Sequence, residues 1–177
     1  MSNDQLPQRR TLLVGLAAVS FLSLAGCMTK PVRPVNADGT YCHRIGKSYH
    51  PTLTCTPDAI PTAAVEAEAK LFEGMAGALT VFVLRRSWGD ASVVVPVTVD
   101  GAGGAATIPE SLVRMRLAPG KHSLSAKWDG LSADIAIDGQ AGEVRVVELE
   151  GSGGARGNTF SWKDVRLEDV KERALAT

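Results

Sequence analysis

From Ala78 onward the chain changes rhythm: apolar and polar residues alternate with period two. Breaks rich in Gly and Pro interrupt the alternation roughly every 8 to 12 residues, the spacing of short strands in an all-β domain. Because successive side chains of a strand point to opposite faces, such a pattern belongs to strands with one face buried. "SLVRMRLA" sets Leu112, Arg114 and Arg116 against Val113, Met115 and Leu117, and "KHSLSAKW" puts His122, Leu124, Ala126 and Trp128 on one side. "ALTVFVLRR", "ASVVVPVTVD", "ATIP", "LSADIAID", "GEVRVVELE" and "TFSWKDVRL" supply the remaining strands, with Pro96 arguing for an edge or a bulge in the second of these. "GAGGA" reads as a flexible hairpin loop and "GSGGARGN" as a loose loop. No helices alternate with the strands, so a parallel sheet is not expected. The expectation is a mostly β, antiparallel β-sandwich over residues 78–177. It closes with a short helix, "EDVKERALA", placed to cover a sheet edge.

One helix is expected ahead of the sandwich, over Asp58 to Gly74. Asp58 or Thr62 would cap it, Pro61 fits only its first turn, and Gly74 would end it. Val65, Ala69 and Phe72 form a modest apolar stripe that would lie on a sheet, and Glu66 and Lys70 pair at i, i+4 on the outer side.

The amino end has a different character. Arg9 and Arg10 precede "TLLVGLAAVSFLSLA", an uncharged run of 15 residues. As a helix it would reach about 22 Å, short of a hydrocarbon core of about 30 Å and suited to the apolar part of a secretion signal. It ends in Leu24-Ala25-Gly26-Cys27, which resembles the lipobox of bacterial lipoproteins. That resemblance implies cleavage before Cys27 and acylation of Cys27, anchoring the chain to a membrane. Residues 1–26 are then a signal peptide, and residues 27–40 a lipidated, proline-containing tether. Arg9-Arg10-Thr11-Leu12-Leu13 also resembles a twin-arginine export motif, with Gln8 where that motif favours Ser or Thr. Met28 stands where retention at the inner membrane would favour Asp, so the resemblance points to the periplasmic leaflet of the outer membrane.

Removing Met1 to Gly26 leaves 151 residues, the size of one domain, with 17 basic and 18 acidic side chains. That balance offers no basic field for nucleic acid. With Cys27 acylated, Cys42 and Cys55 remain as an even pair in an oxidising compartment, and a disulfide is the default reading. The competing reading is a metal site, since Cys42, His43, His50 and Cys55 are all chemically valid zinc ligands. Their spacing fits no known zinc pattern, and adjacent Cys42 and His43 would converge on one ion with difficulty. Residues 41–77 are thus read as a disulfide loop followed by the short helix.

"LTVFVLRR", "VTVDG", "LAPGKHSLSAKW" and "AGEVRVVELE" resemble, in order, the motifs of a family of bacterial envelope lipoproteins. That family carries a PEGA-like, transthyretin-type β-sandwich domain of unknown function. The resemblance covers Ala78 to Val170, and "GAGGAATI" departs from the family's shorter connection at that corner. It implies an immunoglobulin/transthyretin-like sandwich and brings no catalytic residues with it.

Candidate sites are few. Neither glycine-rich stretch has the strand–loop–helix context or the Gly-Lys-Ser/Thr ending of a phosphate-binding loop. His43 and His50 lie in the cysteine loop, and His122 reads as a half-buried strand residue rather than a base. Trp88, Trp128 and Trp162 could form a stacking platform; Trp128 alternates with core positions, which leaves Trp88, with Arg85 and Arg86, as the expected binding face. No cofactor and no metal are expected. The function expected is that of a non-enzymatic interaction or accessory module bound to the membrane through Cys27 and engaging an envelope protein. A ligand-binding lipoprotein that holds a cell-wall fragment, small solute or metal is the alternative, and an envelope hydrolase the remote one.

Overall fold

A computed structural model describes residues 35–47, 49–86, 92–155 and 157–177. Cys27, Trp88 and the signal, lipobox and export motifs lie outside the described residues. The described chain is a β-sandwich. One sheet has the order β10-β9-β3-β6, built from β3 (Leu79–Arg85), β6 (Leu112–Leu117), β9 (Val144–Gly154) and β10 (Gly157–Val165). The other has the order β5-β4-β7-β8, built from β4 (Val95–Val99), β5 (Ala102–Thr107), β7 (Gly120–Trp128) and β8 (Leu131–Gly139). Ahead of them stand a hairpin of β1 (Cys42–Lys47) and β2 (His50–Cys55), then α1 (Ala63–Ala69); α2 (Leu167–Ala176) closes the chain.

The alternation places side chains as expected. Val97, Met115, Leu124, Ala126, Ile137, Val147 and Leu149 meet between the sheets, and Arg114 and Arg116 of β6 point away from that core. Strand β3 is buried on both faces. Leu79, Val81 and Val83 enter the sandwich core, while Phe82 and Leu84 face outward into a second apolar cluster with Phe72, Val146, Val170 and Ala174. Its nearly unbroken apolar run is the composition of a strand covered on two sides.

Four local readings differ from the structure. First, β3 and β9 pair in parallel, Thr80 with Val144 through Arg85 with Leu149. The chain crosses to the opposite sheet for β7 and β8 and returns in the same direction, so no helical crossover is needed. Second, "GAGGA" is strand rather than loop: β5 begins at Ala102, and the turn is only Asp100-Gly101, both at positive φ as a two-residue I′ hairpin requires. Gly104 is glycine because a Cβ there would sit 1.9 Å from the Val97 carbonyl oxygen, beside the β4–β5 register shift. Pro96 faces Ala106 of β5 and precedes Val97, where pairing with β7 begins, so an interior strand accepts it.

Third, α1 is shorter than Asp58 to Gly74. Thr62 caps it, its described span stops at Ala69, and Phe72 turns out of the helical path at φ 56° to stack on Phe82, ring centroids 4.9 Å apart. Val65, expected on the packed stripe, is 43% exposed. Ala69 and Phe72 of that stripe do pack on the sheet, and Glu68 adds a polar hold, accepting hydrogen bonds from Arg114 (3.0 Å) and Arg116 (2.9 Å) of β6. Gly74 is not a helix stop but a close approach, since a Cβ there would meet the Gly142 carbonyl. Fourth, α2 covers a sheet face and not an edge: Val170 and Ala174 pack on the outward side chains of β3 and β9.

Candidate binding surfaces

Cys42 and Cys55 are directly opposed across the β1–β2 hairpin and joined by a disulfide. The bond removes both thiolates from the four-ligand zinc reading. Among the described residues no three His, Cys, Asp or Glu side chains gather as a metal site. His43 is buried against the body of the protein with Nδ1 3.7 Å from Glu110 Oε2, while His50 is exposed at the hairpin tip, where the Tyr49 ring meets it edge-on. The two imidazoles serve different neighbourhoods.

Arg85 does not belong to a binding face. Its strand parity matches Leu79, Val81 and Val83, so it points into the sandwich and is 0% exposed. Its guanidinium lies 4.9 Å from the Phe160 ring centroid and donates to the Thr107 carbonyl at 2.8 Å. Arg86, one residue on, emerges on the other side of the sheet. There it donates to Glu150 at 2.6 Å and lies 3.8 Å from Glu148. Glu150 also pairs with Lys163 at 2.6 Å, and Glu148 is gripped by Arg173 of α2 through two bonds of 2.6 and 3.2 Å. The Lys163 and Arg86 hydrogen bonds hold the Glu150 carboxyl below its ordinary range. Three cations and two carboxylates so spent form a structural brace between α2 and β9.

The tryptophans are likewise committed. Trp128 donates from Nε1 to the Asn158 carbonyl and Trp162 to the Ala133 carbonyl, both at 2.9 Å. Trp128 also meets Phe160 edge-on, centroids 5.0 Å apart. Each indole thus bolts one sheet to the other where β8 and β10 approach, and both rings pack in part against the sandwich core. Trp128 turns inward as its alternation with core positions predicts; its acceptor, 30 residues away, could not be read from the sequence.

His122 is half-buried, as its alternation with Leu124 and Ala126 predicts. Its Nδ1 lies 2.7 Å from Asp100 Oδ2 and its Nε2 2.8 Å from the Ala118 carbonyl. Both neighbours accept, so in the imidazolium form both ring nitrogens donate and the pair makes a clamp. The Asp100 hydrogen bond, then the Ala118 bond, raise the His122 pKa, and the His122 bond lowers that of Asp100. An imidazole so held joins the β4–β5 and β6–β7 turns and has no lone pair to give.

Open grooves also lie among the described residues. One of about 460 Å³ runs between the β9–β10 strands and the start of α2, lined by Arg145, Asp164 and Arg166 over Val144 and Leu167. Its charges pair with one another: Arg145 with Asp164 at 2.7 Å, Arg166 with Asp169 at 2.9 Å. Another, about 410 Å³, wraps the β7–β8 turn at Asp129-Gly130. Comparison of the chain with known protein families and with curated proteins returns no match.

Proposed function

We propose that the chain is a membrane-anchored, non-enzymatic accessory module of a bacterial cell envelope, tied by an acylated Cys27 to the periplasmic leaflet of the outer membrane. The observation that carries this reading is the Cys42–Cys55 disulfide. It fits an oxidising compartment, and it leaves Cys27 as the one cysteine of the sequence's three outside that pair, directly after Leu24-Ala25-Gly26. The resemblance of the strand motifs to an envelope lipoprotein family supports the same conclusion. In this reading two acyl chains hold the protein on a bilayer for good, and confinement to a surface raises its effective concentration toward an envelope partner.

The test is crosslinking in intact cells followed by mass spectrometry, run on the natural chain and on Cys27→Ala. The expected result is one dominant envelope protein captured with the natural chain and lost with Cys27→Ala, alongside an amino-terminal peptide that carries diacylglycerol on Cys27. An unmodified Cys27, or equal capture by the variant, overturns the reading.

A further inference from the structure

We propose that the β1–β2 hairpin itself sits against an anionic phospholipid surface, making a second contact beside the acylated cysteine; the inference rests on the anchored reading above. In the hairpin register, Cys42 faces Cys55, Arg44 faces Leu53 and position 46 faces Pro51. These positions share one face of the ribbon, and the alternate face carries the buried pair His43 and Thr54. Near its base one side of the hairpin therefore packs on the protein; Thr52 and His50 of that side are exposed toward the tip, and the other side looks outward. On the outward side Leu53 is 58% exposed, and at the turn Tyr49 is 67% exposed. An aromatic with a polar tip beside an aliphatic and a proline is the composition of a segment at the boundary between headgroups and acyl chains.

Charge points the same way. Residues 28–56 carry four basic side chains, Lys30, Arg33, Arg44 and Lys47, against one acidic, Asp38. The rest of the chain, 57–177, carries 13 basic against 17 acidic. Positive charge is thus segregated into the segment that adjoins the anchor, while the bulk of the domain is repelled by an anionic surface. Chain length permits the contact: eight residues from Cys27 to Val35 reach about 29 Å at most, enough for the hairpin to meet the bilayer that holds Cys27. Each basic residue near such a surface favours binding by about fivefold.

The test uses the full acylated protein in vesicles. With Cys27 acylated and Cys42–Cys55 bonded, a cysteine introduced by Tyr49→Cys or Leu53→Cys is the sole free thiol and takes a nitroxide label. Leu131→Cys, an exposed apolar site on the β7–β8 turn, is the control. In vesicles containing phosphatidylglycerol, labels at 49 and 53 should collide with oxygen in preference to an aqueous nickel reagent, and the label at 131 should do the reverse. Vesicles of phosphatidylcholine alone should abolish the difference, and Arg33→Gln, in the basic segment next to the anchor, should weaken the contact about fivefold. Labels at 49 and 53 that stay as aqueous as 131, on a protein whose intact mass includes the acyl chains, overturn the hairpin contact and leave the anchor standing. An intact mass without acyl chains overturns the anchor, and this inference with it.

Discussion

Arg173→Met should destabilise the protein by about 2–3 kcal/mol, and the reason is Glu148. That carboxylate stands in the middle of β9 with its side chain 3% exposed, on the face that α2 covers. Two charge-assisted hydrogen bonds from Arg173 satisfy it; a second cation, Arg86, stands off at 3.8 Å. Removing one partner of a buried pair costs about 3–5 kcal/mol, most of it from the charge left behind. The Arg173 side chain is 43% exposed, and Arg86 remains nearby, so solvent screening and the residual cation bring the figure to the lower end. Urea denaturation of the natural chain, Arg173→Met, Glu148→Gln and the double variant forms a thermodynamic cycle. The coupling energy should be about 2 kcal/mol, and the double variant should be more stable than Arg173→Met alone, because it carries no stranded charge. Additive effects in the cycle would refute the brace and leave α2 held by Val170 and Ala174 alone.

Other consequences follow from single contacts. His122 has a raised pKa in the folded state, so its clamp contributes fully below the ordinary histidine value and is lost as pH rises through the folded value; urea midpoints should fall as pH rises above about 6.5, and His122→Gln should flatten that slope. Gly104→Ala forces a Cβ onto the Val97 carbonyl at positive φ and should cost about 2–4 kcal/mol, read as a drop of several degrees in Tm. Trp162→Phe keeps most of the ring and removes the bond to Ala133, a loss of about 1 kcal/mol in the same assay. Reducing Cys42–Cys55 opens a loop with a sequence separation of 13, a term of about 3 kcal/mol in the chain-entropy account, and hydrogen exchange should show the loss confined to β1 and β2.

Much of the fold was legible because strand parity is a local property. Leu112 to Leu117 and His122 to Trp128 announce their two faces without knowledge of any partner. Arg85 was equally legible and was missed because paired arginines suggest a surface; parity with Val81 and Val83 sends one of the two inward and the next one out. Glycine misled in the other direction. In "GAGGA" it signals a loop by composition, yet at Gly104 it is required by a neighbouring strand's carbonyl, a fact about the partner and not about the segment. The parallel β3–β9 pair, the indole acceptors and the Glu148 brace depend on which strands lie side by side, and no local pattern encodes that order.

The surfaces left for a partner can be narrowed by asking which faces are already used. The outward side of the β3–β9 sheet is covered by Phe72 and α2. On the opposite sheet the outward positions run Lys121, Ser123, Ser125 and Lys127 on β7 beside Asp138, Ala136, Asp134 and Ser132 on β8. That face is flat, small and polar, with lysines and aspartates interspersed, which is the composition of a solvated sheet rather than of an interface core. The β8–β10 edge is closed by the two indole bolts. Among the described residues the exposed aromatic and aliphatic surface next to net positive charge is therefore the hairpin. For a protein partner that pairs as an added strand, β5 is an open edge of its sheet, and its exposed residues are Ala and Gly. Small side chains there would let another backbone come close, so pairing with an added strand is the geometry such a partner would use. A photo-crosslinker at Ala102 should then capture the partner that one at Ser125 misses; equal capture from both sites would refute the edge assignment.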